Sequence, residues 1–355
     1  MTVRTGRRRI AHAVSLFAGS ALLLVAAAGS ASAAPATAPP RTVLPDDAAA
    51  GWLARQFVDG NHLETTFGGV SYPDQGLTID AVFAFAAAGV ADSSAAAAMA
   101  WLALPENVTG YIGDGGSEAY SGATAKLLLA AQVQGVSTTF GGVNLPARLR
   151  SLQAPSGRFT DRSAFGDFSN AFGQSYAVIA LTRTPGGVSA AAVGFLAGSQ
   201  CADGGFPVTF GAVTCVGDVD ATALASQALR AAGRTAAADR GATWLAGRQR
   251  SGGGFGAGDG IGAVNANSTG LATQALVVAR RVVPAATGFA YLVRAQLRCA
   301  APATERGAVP YDAALGFDPA TAARATAQAV LGLSGRGLAT LSAAGANPAA
   351  PVLAC

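Results

Sequence analysis

The segment Asp218-Val219-Asp220-Ala221-Thr222 sets two carboxylates two positions apart, immediately ahead of an alanine-rich stretch. Carboxylates so placed can cap the helix or contact a ligand. Asn265 and Asn267 stand in the matching positions 47 residues later, and Asn170 matches Asp218 one step earlier. Asp or Asn just before a helix accepts bonds from its free N–H groups, so capping is the plainer reading of this column. Asp80 and Gln174 fall near the starts of equivalent stretches. If Asp80, Asn170, Gln174, Asp218, Asp220, Asn265 and Asn267 converge on one rim, they supply the few placed polar groups of a concave binding site. Helix N-termini would then favour an acceptor-rich or anionic group on the ligand.

Other chemistries find less support. Asp114, Glu118, Asp161, Asp167 and Asp259 lie on inter-helix stretches, but no spacing selects two of them as the carboxylate pair of a glycosidase. A Ser-His-Asp triad could use only His62, which has no nucleophile motif beside it. No Gly-rich phosphate loop leads into a helix carrying Lys. The four cysteines, Cys201, Cys215, Cys299 and Cys355, lack the clustering of a zinc site, so no metal is expected. Locality favours Cys201–Cys215 and leaves Cys299 for Cys355.

Export makes those bridges permissible. Arg4, Arg7, Arg8 and Arg9 precede an apolar run from Val14 to Ala28, and Ala31-Ser32-Ala33 offers a small-residue cleavage site. Residues 1–33 are therefore expected to be a secretory signal, and an Ala/Pro-rich disordered linker is expected over 34–45. The signal holds four of the 24 basic residues, leaving 20 against 20 acidic ones. That balance argues against nucleic acid as a partner. No later segment has the roughly 20 uninterrupted apolar residues that insertion in a membrane requires.

The elements that position these groups are set by a ladder. Leu53, Leu102, Leu149, Leu196, Leu245 and Leu292 recur at spacings of 49, 47, 47, 49 and 47 residues. An aromatic precedes five of them: Trp52, Trp101, Phe195, Trp244 and Tyr291. Four residues on come Glu106, Gln153, Gln200, Gln249 and Gln296; Gly110, Gly157, Gly204 and Gly253 follow after four more. A fixed period of this length marks a repeat architecture. Each unit reads as two helices, one carrying the aromatic–Leu pair and one alanine-rich and apolar all round, as in 221–233. The latter suits a helix buried on every side. The expected fold is all-α: an (α/α)6 toroid of six hairpins over 46–343, with the alanine-rich helices inside and a tail over 344–355. A linear solenoid is the alternative, although its end repeats would need polar faces.

The segments Phe195-Leu196-x-x-x-Gln200-x-x-x-Gly204-Gly205-Phe206 and Trp244-Leu245-x-x-x-Gln249-x-x-x-Gly253-Gly254-Phe255 resemble the Gln–aromatic repeats of squalene and oxidosqualene cyclases. By this resemblance the chain is similar to prenyltransferase/squalene-oxidase repeat proteins, whose fold is the α/α toroid. The resemblance implies that the Gln–aromatic pairs brace the outer helices. It also aligns Asp220 with the proton donor of the class II Asp-x-Asp-Asp-Thr motif, with Ala221 replacing the third acid. The zinc ligands of protein prenyltransferases have no counterpart. The α domain of the transcobalamin group is a looser analogue, a secreted α/α barrel that binds a corrinoid at its mouth.

These readings converge on a secreted, non-catalytic ligand-binding or interaction domain without a cofactor. A small hydrophobic or corrinoid ligand and a separate extracytoplasmic protein are the expected partners. The alternatives are a class II terpenoid cyclase using Asp220 and a purely structural module.

Overall fold

The computed structural model describes residues 38–355, of which Pro39–Cys355 form one compact unit. The expected signal, 1–33, lies outside the described residues, as do 34–37 of the expected linker. In chain order the first helices are α1 (Pro45–Ala54), α2 (Gln75–Ala88), α3 (Asp92–Leu102), α4 (Pro105–Ile112), α5 (Ser121–Val133) and α6 (Leu145–Ser151). There follow α7 (Ala171–Thr182), α8 (Ala190–Gly198), α9 (Val219–Ala231), α10 (Thr235–Arg248), α11 (Ala266–Val278), α12 (Val282–Ala295) and α13 (Pro319–Ser334).

Six of these helices form the inner ring. Successive neighbours pack in the order α2, α5, α7, α9, α11 and α13, and α13 returns to α2. The ring is therefore closed, which excludes the solenoid. Alanine and glycine permit the close approach: a Cβ on Gly270 would strike the Gln328 carbonyl, and Gly122 faces Gly173. The outer layer is α1, α3, α6, α8, α10 and α12. All six ladder leucines lie on it, fully buried against the inner ring. One helix exceeds the expected twelve. Glu106, which stands in the glutamine column, opens the additional α4.

The ladder's other residues tie each hairpin to the next. Gln200 Nε2 donates to the carbonyls of Gly204 and Ala237, each at 2.9 Å. Gln249 does the same to Gly253 and Pro284 at 2.8 Å. The glycines have two reasons to be glycine. Gly157, Gly204, Gly253 and Gly307 have φ of 92°, 102°, 88° and 98°, and each lies against backbone of the following outer helix. On the inner helices a hydroxyl or amide reaches outward to the preceding loop. Thr78, Gln174, Thr222, Thr269 and Thr326 accept from the N–H of Leu63, Phe159, Phe206, Phe255 and Val309.

Short strands trim this frame. Arg41–Thr42 is β1, and the hairpins are β2 (Glu64–Phe67) with β3 (Val70–Pro73), β4 (Thr139–Phe140) with β5 (Val143–Asn144), and β6 (Phe255–Gly256) with β7 (Val264–Asn265). β8 (Val352–Leu353) pairs in parallel with β1. The expected linker is thus ordered from its β1 portion onward, because the C-terminal tail supplies its pairing partner. The tail itself is a strap. Leu338 is fully buried, with its carbonyl bound by Arg183 at 3.0 Å and its N–H by Gln227 at 3.2 Å. It closes the end of the barrel where the inner helices finish. Beyond it, Asn347 and Ala349 bond to the α2–α3 turn. Bridges Cys201–Cys215 and Cys299–Cys355 form as expected, the second anchoring the strap to the sixth repeat.

Candidate functional site

All six inner helices start at one end of the ring, the mouth, because each hairpin runs outer helix first. Caps occupy those starts. Asp74, Asn170, Asp218, Asn265 and Asp318 accept from N–H groups of the first turns of α2, α7, α9, α11 and α13. For α5 the cap comes from another loop, with Asp161 accepting from the N–H and Oγ of Ser121 at 2.7 and 2.9 Å. Asn170, Asp218 and Asn265 are therefore caps, each taking up one or two of the free N–H groups of its helix.

The braces Thr78, Gln174, Thr222, Thr269 and Thr326, with Thr124 at the equivalent place on α5, index the ring. A residue two positions away lies about 200° round a helix, so it faces the lumen. Two positions after the brace stand Asp80, Lys126, Tyr176, Leu224, Leu271 and Gln328. Two positions before it stand Gly76, Gly122, Phe172, Asp220, Asn267 and Arg324. These two tiers form the floor and the wall of the mouth.

One side of the mouth is ionic. Lys126 Nζ lies 2.7 Å from Asp80 Oδ1, and Arg324 lies 3.6 Å from Asp80 Oδ2 and 3.0 Å from Asp74 Oδ2. Lys126 also donates to the Gly76 carbonyl at 3.0 Å and sits 5.8 Å from the centre of the Tyr176 ring. Tyr176 reaches across to stack on Phe83, with ring centres 6.4 Å apart. Phe83 is buried about one turn below Asp80, and the buried Leu224 and Leu271 complete the tier opposite the ionic side. The additional α4 brings Tyr111 over the same group, beside Gly76. Burial, then the charges of Asp80 and Asp74, hold the Tyr111 phenol above its usual range, with Arg324 opposing. Burial and Asp80 likewise raise Tyr176.

The other side offers unpaired acceptors. Asp220 Oδ1, Asn267 Oδ1 and Gln328 Oε1, from the successive helices α9, α11 and α13, are buried without a hydrogen-bond partner. Burial, then the neighbouring Asp218 carboxylate, push Asp220 up to about 6, while the Ser268 hydroxyl pulls the other way. Asp218 is raised by burial, and the N–H groups it caps oppose that shift. A cleft of about 350 Å³ opens between the loops at 207–218 and 258–259, with Asp218 in its lining.

Of the seven expected residues, Asp80, Asp220 and Asn267 thus reach the lumen. The Gln174 amide is engaged within the frame, accepting from Phe159 N–H and donating to the Gly157 and Ala192 carbonyls. The loop acids are spent on local structure as well. Asp167 pairs with Arg158 at 3.0 Å, and Glu118 accepts from Tyr120 at 2.7 Å. His62 stacks on Trp101 with ring centres 4.6 Å apart. Sequence reading passed over Lys126, Tyr111, Tyr176 and Arg324. A column counted from the braces would have shown three of the four.

No protein-family model matches the sequence, and no curated protein matches it. Solved structures match its shape. A type II terpene cyclase from Scytonema in complex with geranylgeranyl dihydroxybenzoate superposes with a TM-score of 0.61 at 15% identity, over 82% of this chain and 95% of that one. A protein from Actinoplanes gives 0.60 at 16% identity, over 82% and 98%. Unsaturated glucuronyl hydrolase from a Bacillus species gives 0.59 at 12% identity, over 82% and 95%. The closed ring, the hairpin order and these superpositions agree: the chain has the α/α-toroid fold that these structures share.

Proposed function

We propose that this chain is a non-catalytic, extracytoplasmic binding toroid that holds a small ligand at its mouth. The carrying observation is the set of unpaired acceptors Asp220 Oδ1, Asn267 Oδ1 and Gln328 Oε1. A buried acceptor without a partner costs about 1–3 kcal/mol, which a ligand's donors would recover. Such a ligand carries amide, hydroxyl or ammonium donors on an apolar body that rests against Phe172 and Tyr176. A corrinoid, with its peripheral amides, has this character. Two disulfides and the absence, among the described residues, of a helix long and apolar enough to cross a membrane are compatible with an exported protein.

The environment of the acids supports binding over catalysis. Both oxygens of Asp80 are engaged by Lys126 and Arg324, which leaves neither for a reacting group. Titrating the mature protein with cobalamin tests the reading: binding should weaken at least about tenfold in Asn267→Ala, the loss of about one good hydrogen bond. Binding that is undetectable, or unchanged in that variant, would count against it.

The second reading is a class II cyclase. It is favoured by the elevated Asp220, which keeps a proton well into the acidic range. Alkene protonation demands a strong acid, however, and a carboxyl at about 6 beside another carboxylate is a weak one.

A further inference from the structure

The mouth and the opposite end of the ring carry opposite charge, and both present bare apolar side chains. The mouth-side connections are 55–74, 113–120, 152–170, 199–218, 249–265 and 296–318; they hold thirteen acidic residues against six arginines. The base-side connections are 89–91, 134–144, 183–189, 232–234, 279–281 and 335–341; they hold five arginines and no acidic residue, while Asp46, Asp47 and Asp92 open the outer helices α1 and α3 at the same end. Five mouth loops each raise a large apolar side chain into solvent: Phe67, Phe165, Val213, Ile261 and Leu315, all at least 74% exposed. At the base, Val282 and Val283 are 75% and 74% exposed, beside the exposed Arg280 and with the exposed Arg234 on the same face. The five stand on separate loops, as apolar side chains commonly do on a surface, so it is the charge of the two ends that selects the partner.

We propose that the mouth docks the base of a second copy of this chain, in a head-to-tail stack. Acidic rim meets basic base, and loop-tip side chains meet the valines. Complementary potentials steer and orient such a contact, while matching faces would repel in mouth-to-mouth or base-to-base pairs. A bilayer is the poorer occupant: the rim is acidic, and its loop tips carry no Trp or Lys of the kind that anchors at a headgroup layer. The two faces differ, so the contact is heterologous and does not close after one step. The stack does not depend on whether the mouth also holds a small ligand.

Sedimentation velocity of the mature protein at low ionic strength tests this. The expected result is a sedimentation coefficient that rises with concentration through dimer and longer species. It should fall back towards monomer in about 1 M salt, where charges are screened beyond about 3 Å. A mouth variant, Phe165→Ser with Leu315→Ser, and a base variant, Arg234→Glu with Val283→Glu, change only exposed positions and should unfold as the parent does. Each should be monomeric alone. Mixed in equal amounts, they should give a dimer and nothing longer, because only one competent mouth and one competent base remain. A parent that stays monomeric at every concentration would overturn the proposal. So would a base variant that associates like the parent, which points to mouth-to-mouth pairing, or a mouth that binds phosphatidylcholine vesicles in place of a second copy.

Discussion

Gln296 donates its side-chain amide to the carbonyl of Pro45 at 2.7 Å, joining the last outer helix to the first across 251 residues of sequence. The same nitrogen holds the Gly307 carbonyl at 3.1 Å. This repeats, at the seam of the ring, the bond that Gln200 and Gln249 make within it. Trp52 reinforces the seam by donating to the Thr304 carbonyl at 2.9 Å.

Gln296→Ala should therefore destabilise the fold by about 2 kcal/mol, because two carbonyls lose their shared donor in a buried place. Gln153→Ala, which loses only a partly exposed bond to Ser189, should cost under about 1 kcal/mol. Denaturant unfolding of the two variants checks the order.

Glycine at the ladder turns is required twice over, by backbone angle and by space. Gly307→Ala would place a methyl group against the Ala48 carbonyl at a φ of 98°. A loss above about 3 kcal/mol, or failure to fold, is expected from overpacking and strain together. Gly211, with a φ of 79° and open space around it, should tolerate Ala at about 1–2 kcal/mol. Thermal unfolding of both separates the two causes.

The frame was legible in the sequence because it repeats. Leu53 to Leu292 mark every outer helix, and alanine-rich stretches mark the inner ones. The site was less legible because it does not repeat. Asp80, Lys126, Tyr176, Leu224, Leu271 and Gln328 share one tier, yet no two neighbours in the ring but Leu224 and Leu271 are alike. α13 further hides its place, since its cap, Asp318, lies one turn earlier relative to its brace than the other caps do. That shift puts Arg324 in the tier of Asp220 and Asn267. Helix α4 was missed because Pro105 restarts a helix just past α3, where the ladder pattern expects a turn.

Stability should fall as Asp220 loses its proton. The unfolded chain releases it near 3.8, the ordinary value for aspartate, and the folded chain at about 6. Below the lower value both states hold the proton and nothing is lost. Through the interval the unfolded state ionises first, and above about 6 the penalty is complete, at most about 3 kcal/mol. Asp220→Asn should thus raise the melting temperature at about pH 8 and leave it nearly unchanged at about pH 3.5. An equal effect at both would refute the assigned burial.

The two disulfides should contribute unequally. Cys299–Cys355 spans 56 residues and Cys201–Cys215 spans 14, for about 4 and about 3 kcal/mol of loop entropy. Cys355→Ser also releases β8 from its anchor, so calorimetry should show the larger loss there than in Cys215→Ser.

The central claim is that the mouth binds without converting what it holds. Mass spectrometry of the mature protein after incubation with squalene and with cobalamin tests it most directly. Cobalamin recovered with the protein, and both compounds recovered unchanged, is the result this account predicts. A cyclised squalene product that vanishes in Asp220→Asn would contradict it.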